Sequence, residues 1–243
     1  MVSVYRQAAD LILAHQPCAA LTGAGISAES GIPTFRSKGG LWEKFDPTVY
    51  ASIDVFRRDP SKYWSIRGEF IRNCDAYRPN PGHLALAEME TLGLLRHVIT
   101  QNIDGLHRKA GSRNVTEIHG SLREIRCLAC GKEYGAPHVP AGSPPLCSCG
   151  GVLKPNTVLF GEPLQPVDLE SAWREAESCG VMLVIGTSAV VQPAASLPFV
   201  ARDRGARIVE INPERAFPGA DVSIPENAGI ALPKIMAELR ELR

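Results

Sequence analysis

Four short apolar runs, at residues 19–22, 96–100, 181–186 and 207–211, each give way abruptly to small or polar residues. The first leads into Thr22-Gly23-Ala24-Gly25 and the second into Thr100-Gln101-Asn102-Ile103-Asp104. The third ends in Gly186-Thr187-Ser188 and the fourth in Asn212-Pro213-Glu214. Helical patterns separate the runs, and this alternation predicts a parallel sheet. Open α/β sheets bind ligands beyond the carboxyl ends of their strands, so four such ends predict one extended crevice. Ordinary β-α loops are the competing reading, loop by loop.

A chain of 243 residues, 44% hydrophobic, can bury one large domain with a smaller insert. Its 26 basic residues are balanced by 26 acidic ones. Affinity for nucleic acid comes chiefly from neutralised phosphates, so strong binding of that kind is not expected. No apolar run approaches the roughly 20 residues that span a bilayer. The first 16 residues suit an amphipathic helix better than a secretion signal, which predicts a cytoplasmic protein without a membrane partner. A monomer is favoured over an oligomer.

Two stretches interrupt the alternation. Residues 33–81 read as a helical insert, and residues 121–155 are rich in Gly, Pro and Cys. The second stretch carries Cys127-x-x-Cys130 and Cys147-x-Cys149, four of the chain's seven cysteines. Paired thiols of this spacing form a closed tetrahedral zinc site, with no open position for water, so the metal is expected to be structural. A segment with so little to bury is expected to need its metal to fold. Cys18, Cys74 and Cys179 are read as packing residues.

Gly23-Ala24-Gly25-Ile26-Ser27-Ala28 fits a G-x-G-x-x-A turn, in which bare backbone lets a pyrophosphate approach a helix N-terminus. A hydride-transferring domain would continue with an unbroken helix, a second strand and an acid about 20 residues on. Here Pro33 and Gly39-Gly40 break the helix, and the segment carries Thr34, Phe35, Arg36 and Trp42. It is expected to form a flap over a nucleotide, not a dehydrogenase fold. Gln101, Asn102 and Asp104 bring hydrogen-bonding groups and a negative charge to the end of the second strand. An Asn/Asp turn capping the following helix is the alternative. His119 ends a short predicted strand at 115–118 and precedes Gly120, expected to leave space beside the ring; histidine is the commonest general base near neutrality. His107 reads as a helix-surface residue. Residues 158–162 are extended and apolar and can pair with a peptide as an added strand; an ordinary core strand is the competing reading.

Taken together, GAGISAESGIPTFRSKGGLW, TQNIDGLHRKAG, EIHGSL, CxxC…CxC, LFGE, GTSAVVQPAASLP and INPE resemble the sirtuin motifs, in the family's order and spacing, from the first strand to residue 213. The resemblance implies NAD-dependent removal of acetyl or other short acyl groups from protein lysines, yielding nicotinamide, O-acyl-ADP-ribose and free lysine. It implies an α/β fold: a Rossmann-like part at about 1–35, 82–120 and 156–243, and a smaller part from the insert (36–81) and the zinc module (121–155). His119 would be the base that deprotonates a ribose hydroxyl, with Asn102 beside it in the catalytic set. Gly23, Ala24, Gly25, Ser27, Ala28, Thr34, Phe35, Arg36, Trp42, Gln101, Asn102, Ile103, Asp104, His119, Gly186, Thr187, Ser188, Asn212, Pro213, Glu214 and Ala228 would contact NAD.

Val158, Phe160, Gly161 and Glu162 would hold the acyl-lysine peptide. Acid-preferring sirtuins carry a Tyr and an Arg three apart after Pro-x-x-x-Trp. After Pro60-Ser61-Lys62-Tyr63-Trp64 those positions hold Arg67 and Phe70, so simple acyl groups are favoured, with a preference for longer or acidic acyl groups, an acidic chain facing Arg67, as the alternative. A mono-ADP-ribosyltransferase or NAD glycohydrolase is a rival within the same site. A zinc-ribbon binding module without NAD turnover is the rival of another class.

Overall fold

The computed structural model describes residues 2–34, 43, 46–136 and 144–243. Nine strands are present among them: β1 (Cys18–Thr22), β2 (His97–Thr100), β3 (Val115–Glu117), β4 (Gly120–Cys127), β5 (Glu133–Gly135), β6 (Leu153–Thr157), β7 (Val181–Ile185), β8 (Arg207–Ile211) and β9 (Val222–Ile224). Six of them form one parallel sheet in the order β3-β2-β1-β7-β8-β9. The four strands expected from apolar runs are all there, with ends within one residue of the reading. The edge strand β9 was not anticipated, because three residues carry too little pattern.

Every residue of β1 and β7 is buried, which is why these runs are continuously apolar instead of alternating. Cys18 and Ala20 face a core shared with helices Val4–Ala14, Pro81–Thr91 and Ala228–Glu241. Ala19 and Leu21 face the opposite core, against helices Pro166–Ser178 and Leu197–Asp203. Helices on both faces are the parallel-sheet solution to burying two apolar surfaces. The strand order reverses between β1 and β7. In register, Thr22 lies opposite Thr100 and Ile185, and Ile185 opposite Ile211. Four loops therefore leave the sheet at one level, on either side of the switch point where such folds open a crevice.

A second, antiparallel sheet has the order β5-β4-β6 and begins directly after His119. The insert before it is helical over Pro47–Tyr50, Ile53–Arg58 and Pro60–Arg72; the last of these is started by Asp59, which accepts a hydrogen bond from Ser61 N, and by Pro60. Phe56, Trp64 and Ile71 of the insert pack with Leu122, Ile125 and Leu153 of the sheet in a third core. The Trp64 indole donates to the Leu153 carbonyl at 3.0 Å. Among the described residues no helix is long and apolar enough to cross a membrane.

Candidate active site

The loops after β1 and β7 are interlocked. Gly23 N–H donates to Ile185 O at 3.0 Å and Gly25 N–H to Gly186 O at 2.8 Å. A Cβ on Gly23 or Gly25 would fall within 3 Å of Gly186 or Thr187 atoms, and Gly186 itself sits at φ 58°. The glycines of the turn thus serve first to let two loops touch, and Ala24 and Ala28 then line the crevice beside them. Residues Ala24–Ser30 form a short 3-10 helix that Gly31 ends at φ 81°.

The second strand's loop ties into the same junction. Gln101 donates its amide to Thr187 Oγ1 at 2.9 Å, and Asn212 donates to Thr187 O at 3.0 Å. Asn102 is buried and donates to Gly23 O (3.0 Å) and to Ser27 Oγ (3.1 Å). Ser27 in turn donates to Asp104 Oδ2 at 2.7 Å, while Asp104 Oδ1 accepts from Leu106 N–H at 2.9 Å. Asp104 therefore caps the following turn, as the alternative reading supposed, and also holds Ser27. Burial raises its pKa, and the bonds from Leu106 and Ser27 oppose that rise.

His119 Nδ1 lies 3.1 Å from Gln101 O. A carbonyl only accepts, so Nδ1 carries the proton and Nε2 keeps its lone pair. Burial pushes the ring's pKa down, partly offset by that hydrogen bond, which favours the neutral imidazole. Gly120 has a different purpose from the one expected. It sits at φ 76°, and a Cβ there would lie 2.1 Å from Asn156 O, so the glycine permits β4 to pass β6. That contact fixes where the chain turns after His119.

A cavity of about 1090 Å³ runs along these strand ends. Gly23, Ala24, Gly25, Ala28, Thr34, Gln101, Asn102, Ile103 and His119 line it, with Gly186, Thr187, Ser188, Asn212, Pro213 and Glu214. Val158, Phe160, Gly161, Glu162 and Arg67 complete its wall toward the small sheet. A second cavity of about 250 Å³ opens beside it between Ser27, Asp104, Phe70 and Tyr77, and Asn102, Ile103 and Arg67 border both. Phe35, Arg36 and Trp42 lie outside the described residues. Ala228 is buried in the core; at that helix start it is Asn227 that faces the cavity.

Two histidines correct or extend the sequence reading. His107 is buried, not on a helix surface: its Nε2 is 2.9 Å from Thr22 Oγ1, and its ring packs 4.9 Å from that of His83. His83, which sequence reasoning passed over, accepts from Asn80 N–H at Nδ1 and places Nε2 3.4 Å from Ser27 Oγ. The available signal was Asn80-Pro81-x-His83, a helix start with histidine at the third position.

The Sir2 family model matches residues 23–193, a span that holds the β1 loop, Gln101–Asp104, His119 and the cysteines. The chain belongs to the Sir2 family. It is 49% identical over 242 residues to NAD-dependent protein deacylase 2 of Pyrobaculum aerophilum, covering 96% of this chain and 94% of that one. A Sir2 homologue solved in complex with NAD superposes with a TM-score of 0.89 at 44% identity, covering 97% of this chain and 94% of the other. A Sir2 enzyme bound to a myristoylated histone peptide gives 0.82 at 39% identity, with 99% and 98% covered.

The cysteines of this Sir2 protein fit a zinc ion. Their four Sγ atoms lie within 4.8 Å of one another, with Cys127–Cys149 at 3.6 Å and Cys130–Cys147 at 3.7 Å. Four thiolates at 2.3 Å around a tetrahedral zinc stand about 3.8 Å apart. Backbone N–H groups of Cys130 and Ala129 lower the Cys127 thiol's pKa. The Cys149 N–H, then the Tyr134 hydroxyl, bring Cys147 down to about 6. Those two thiols favour the deprotonated form a metal requires, whereas Cys149, despite the Gly151 N–H, is pushed up to about 12 by the sulfurs of Cys130, Cys127 and Cys147. A Cβ on Gly151 would lie 2.6 Å from Cys127 Sγ, so the knuckle admits only glycine there without a shift.

Proposed function

We propose that this Sir2 protein removes acyl groups from protein lysines while consuming NAD, with His119 as the base. The observation that carries the reading is the His119–Gln101 contact in a cavity whose wall also holds the nucleotide-type loops and residues 158–161. NAD, when bound, supplies the ribose carbon that takes the acyl oxygen as nicotinamide leaves. His119 Nε2 receives the proton of a ribose hydroxyl. Asn102 and Asp104 hold the β1 loop in place and border the smaller cavity, which suits the departing ring. One water is consumed in releasing the lysine, and the products are nicotinamide, O-acyl-ADP-ribose and free lysine. The zinc would be held by Cys127, Cys130, Cys147 and Cys149, away from the reacting atoms, as a structural centre.

The peptide would lie along residues 158–161. Val158 N–H is taken by His119 O, and both Phe160 backbone groups pair with residues 51 and 53 of the insert. This extended segment is the one that would pair with an added strand. The insert (about 36–81) and zinc module (about 121–155) would act as one small part against the larger part (about 1–35, 82–120 and 156–243), supported by the third core. Acetyl and other short chains are the favoured cargo; an acidic chain is the second reading, because Arg67 lines both cavities.

The deciding experiment measures nicotinamide and deacylated peptide from NAD, with and without an acetyl-lysine peptide, for the zinc-loaded protein and His119→Ala. Peptide-dependent release, with no deacylated product from the variant, is the expected result. Peptide-independent release would mean a transferase or glycohydrolase instead.

A further inference from the structure

Glu162 does more than border the peptide segment. Its Oε2 accepts the Leu159 N–H at 2.8 Å and stands 3.0 Å from Lys154 Nζ. Leu159 O accepts the Glu162 N–H at 2.9 Å, so the turn 159–162 is closed from both ends. Lys154 Nζ also donates to Thr157 O at 2.8 Å and Pro155 O at 3.3 Å. The side chains are only 11% and 23% exposed, so neither charge is well hydrated without the other.

We infer that the Lys154–Glu162 ion pair is a positioning device that presents residues 158–161 to the acylated peptide. The outer side of this segment is already fixed by Phe160's pairing with residues 51 and 53 and by Val158's bond to His119 O. The ion pair fixes its inner side, from β6 across to the end of the turn. The backbone of residues 158–161 is consequently held in one conformation, and through the Val158 N–H its position is referred to His119. Among the described residues, no hydrogen bond or ion pair joins either charged group to the NAD-type loops after β1, β7 and β8. Loss of the pair should therefore be felt by the peptide and not by the nucleotide. The inference rests on the deacylase reading.

The test is steady-state kinetics of the full, zinc-loaded chain with an acetyl-lysine peptide and NAD. Lys154→Met and Glu162→Ala should each raise the peptide KM about tenfold, and the double variant no further, because the two groups act as one unit. The NAD KM should stay within about twofold, and Lys154→Arg should retain a near-normal peptide KM, since arginine keeps a cation and several donors. Glu162→Gln, which keeps an oxygen for Leu159 N–H, provides a second folded variant and should fall between wild type and Glu162→Ala. An unchanged peptide KM in the single variants overturns the inference. So does a parallel rise of both KM values with a lowered Tm, which would mark a purely structural role. Wild type that releases no nicotinamide in response to peptide overturns the deacylase reading first, and the inference with it.

Discussion

His119 Nδ1 is 3.1 Å from Gln101 O, a contact between the end of β3 and the end of β2 that no side-chain substitution at residue 101 can remove. The bond holds the tautomer in which Nε2 keeps its lone pair. Burial lowers the ring's pKa from 6.5, so the neutral form is complete at neutral pH.

Protonation of His119 would disable it in its proposed role as base, so deacylated-product formation should fall as pH drops through a value below 6.5. His119→Ala should lower that rate about 10²–10⁴-fold, the usual contribution of a positioned base, and abolish the acid limb. A variant whose residual rate keeps the same limb would show that another group titrates.

Stability should respond to acid through a different histidine. His83 is fully buried, and burial brings its pKa to about 4. The unfolded chain takes up this proton near pH 6.5 and the folded chain only near 4, so the stabilisation is present above 6.5 and is lost as pH falls toward 4. The loss amounts to about 3 kcal/mol by pH 4. Urea unfolding of wild type and His83→Gln at pH 7 and pH 5 checks this; the variant should show the smaller difference between the two pH values. An equal difference would locate the acid sensitivity elsewhere.

The contrast between the two histidines shows what was legible in the sequence. His119 sits inside a local motif at the end of a short strand, and the strand ends and cysteine pairs are local patterns too. The Ser27–His83–His107–Thr22 arrangement joins four segments that meet only after the sheet forms and helix Pro81–Thr91 packs on it. No spacing rule reports such a meeting. Gly120 and Glu162 were visible as residues to watch, but their purposes depend on where Asn156 and Lys154 arrive. At residue 228 the reading reached the correct helix start and missed the lining side chain by one position, since the turn's phase is set by packing.

Zinc removal should act on activity through the fold. The metal's ligands Cys127 and Cys147 belong to the same core as Trp64, whose indole donates to Leu153 O. Prolonged chelation should shift tryptophan emission and abolish deacylation together, and zinc should restore both. Metal analysis of the untreated protein should give about one zinc per chain, as expected for one four-thiolate site. Full activity after complete metal loss would refute a supporting role for the centre.

The choice between simple and acidic acyl chains can be tested at Arg67. It follows the buried Tyr63 and Trp64 on helix Pro60–Arg72, lines both cavities, and holds its guanidinium 5.8 Å from the centre of the Phe70 ring. Burial lowers its pKa, with the neighbouring Tyr63 acting in the other direction, so the cation sits in a poorly hydrated place. If a carboxylated chain reached it, a charge-assisted hydrogen bond would form, worth about 1.5–3 kcal/mol. Arg67→Ala would then lower kcat/KM for a succinyl-lysine peptide by about tenfold or more while the acetyl-lysine value changed far less. Phe70, at the companion position, has no hydroxyl to offer such a chain. We therefore expect acetyl-lysine to be the better substrate of wild type, and Arg67→Ala to affect both peptides by a similar factor. A selective loss of succinyl-lysine turnover would reverse that assignment and make Arg67 the residue that reads the acyl group.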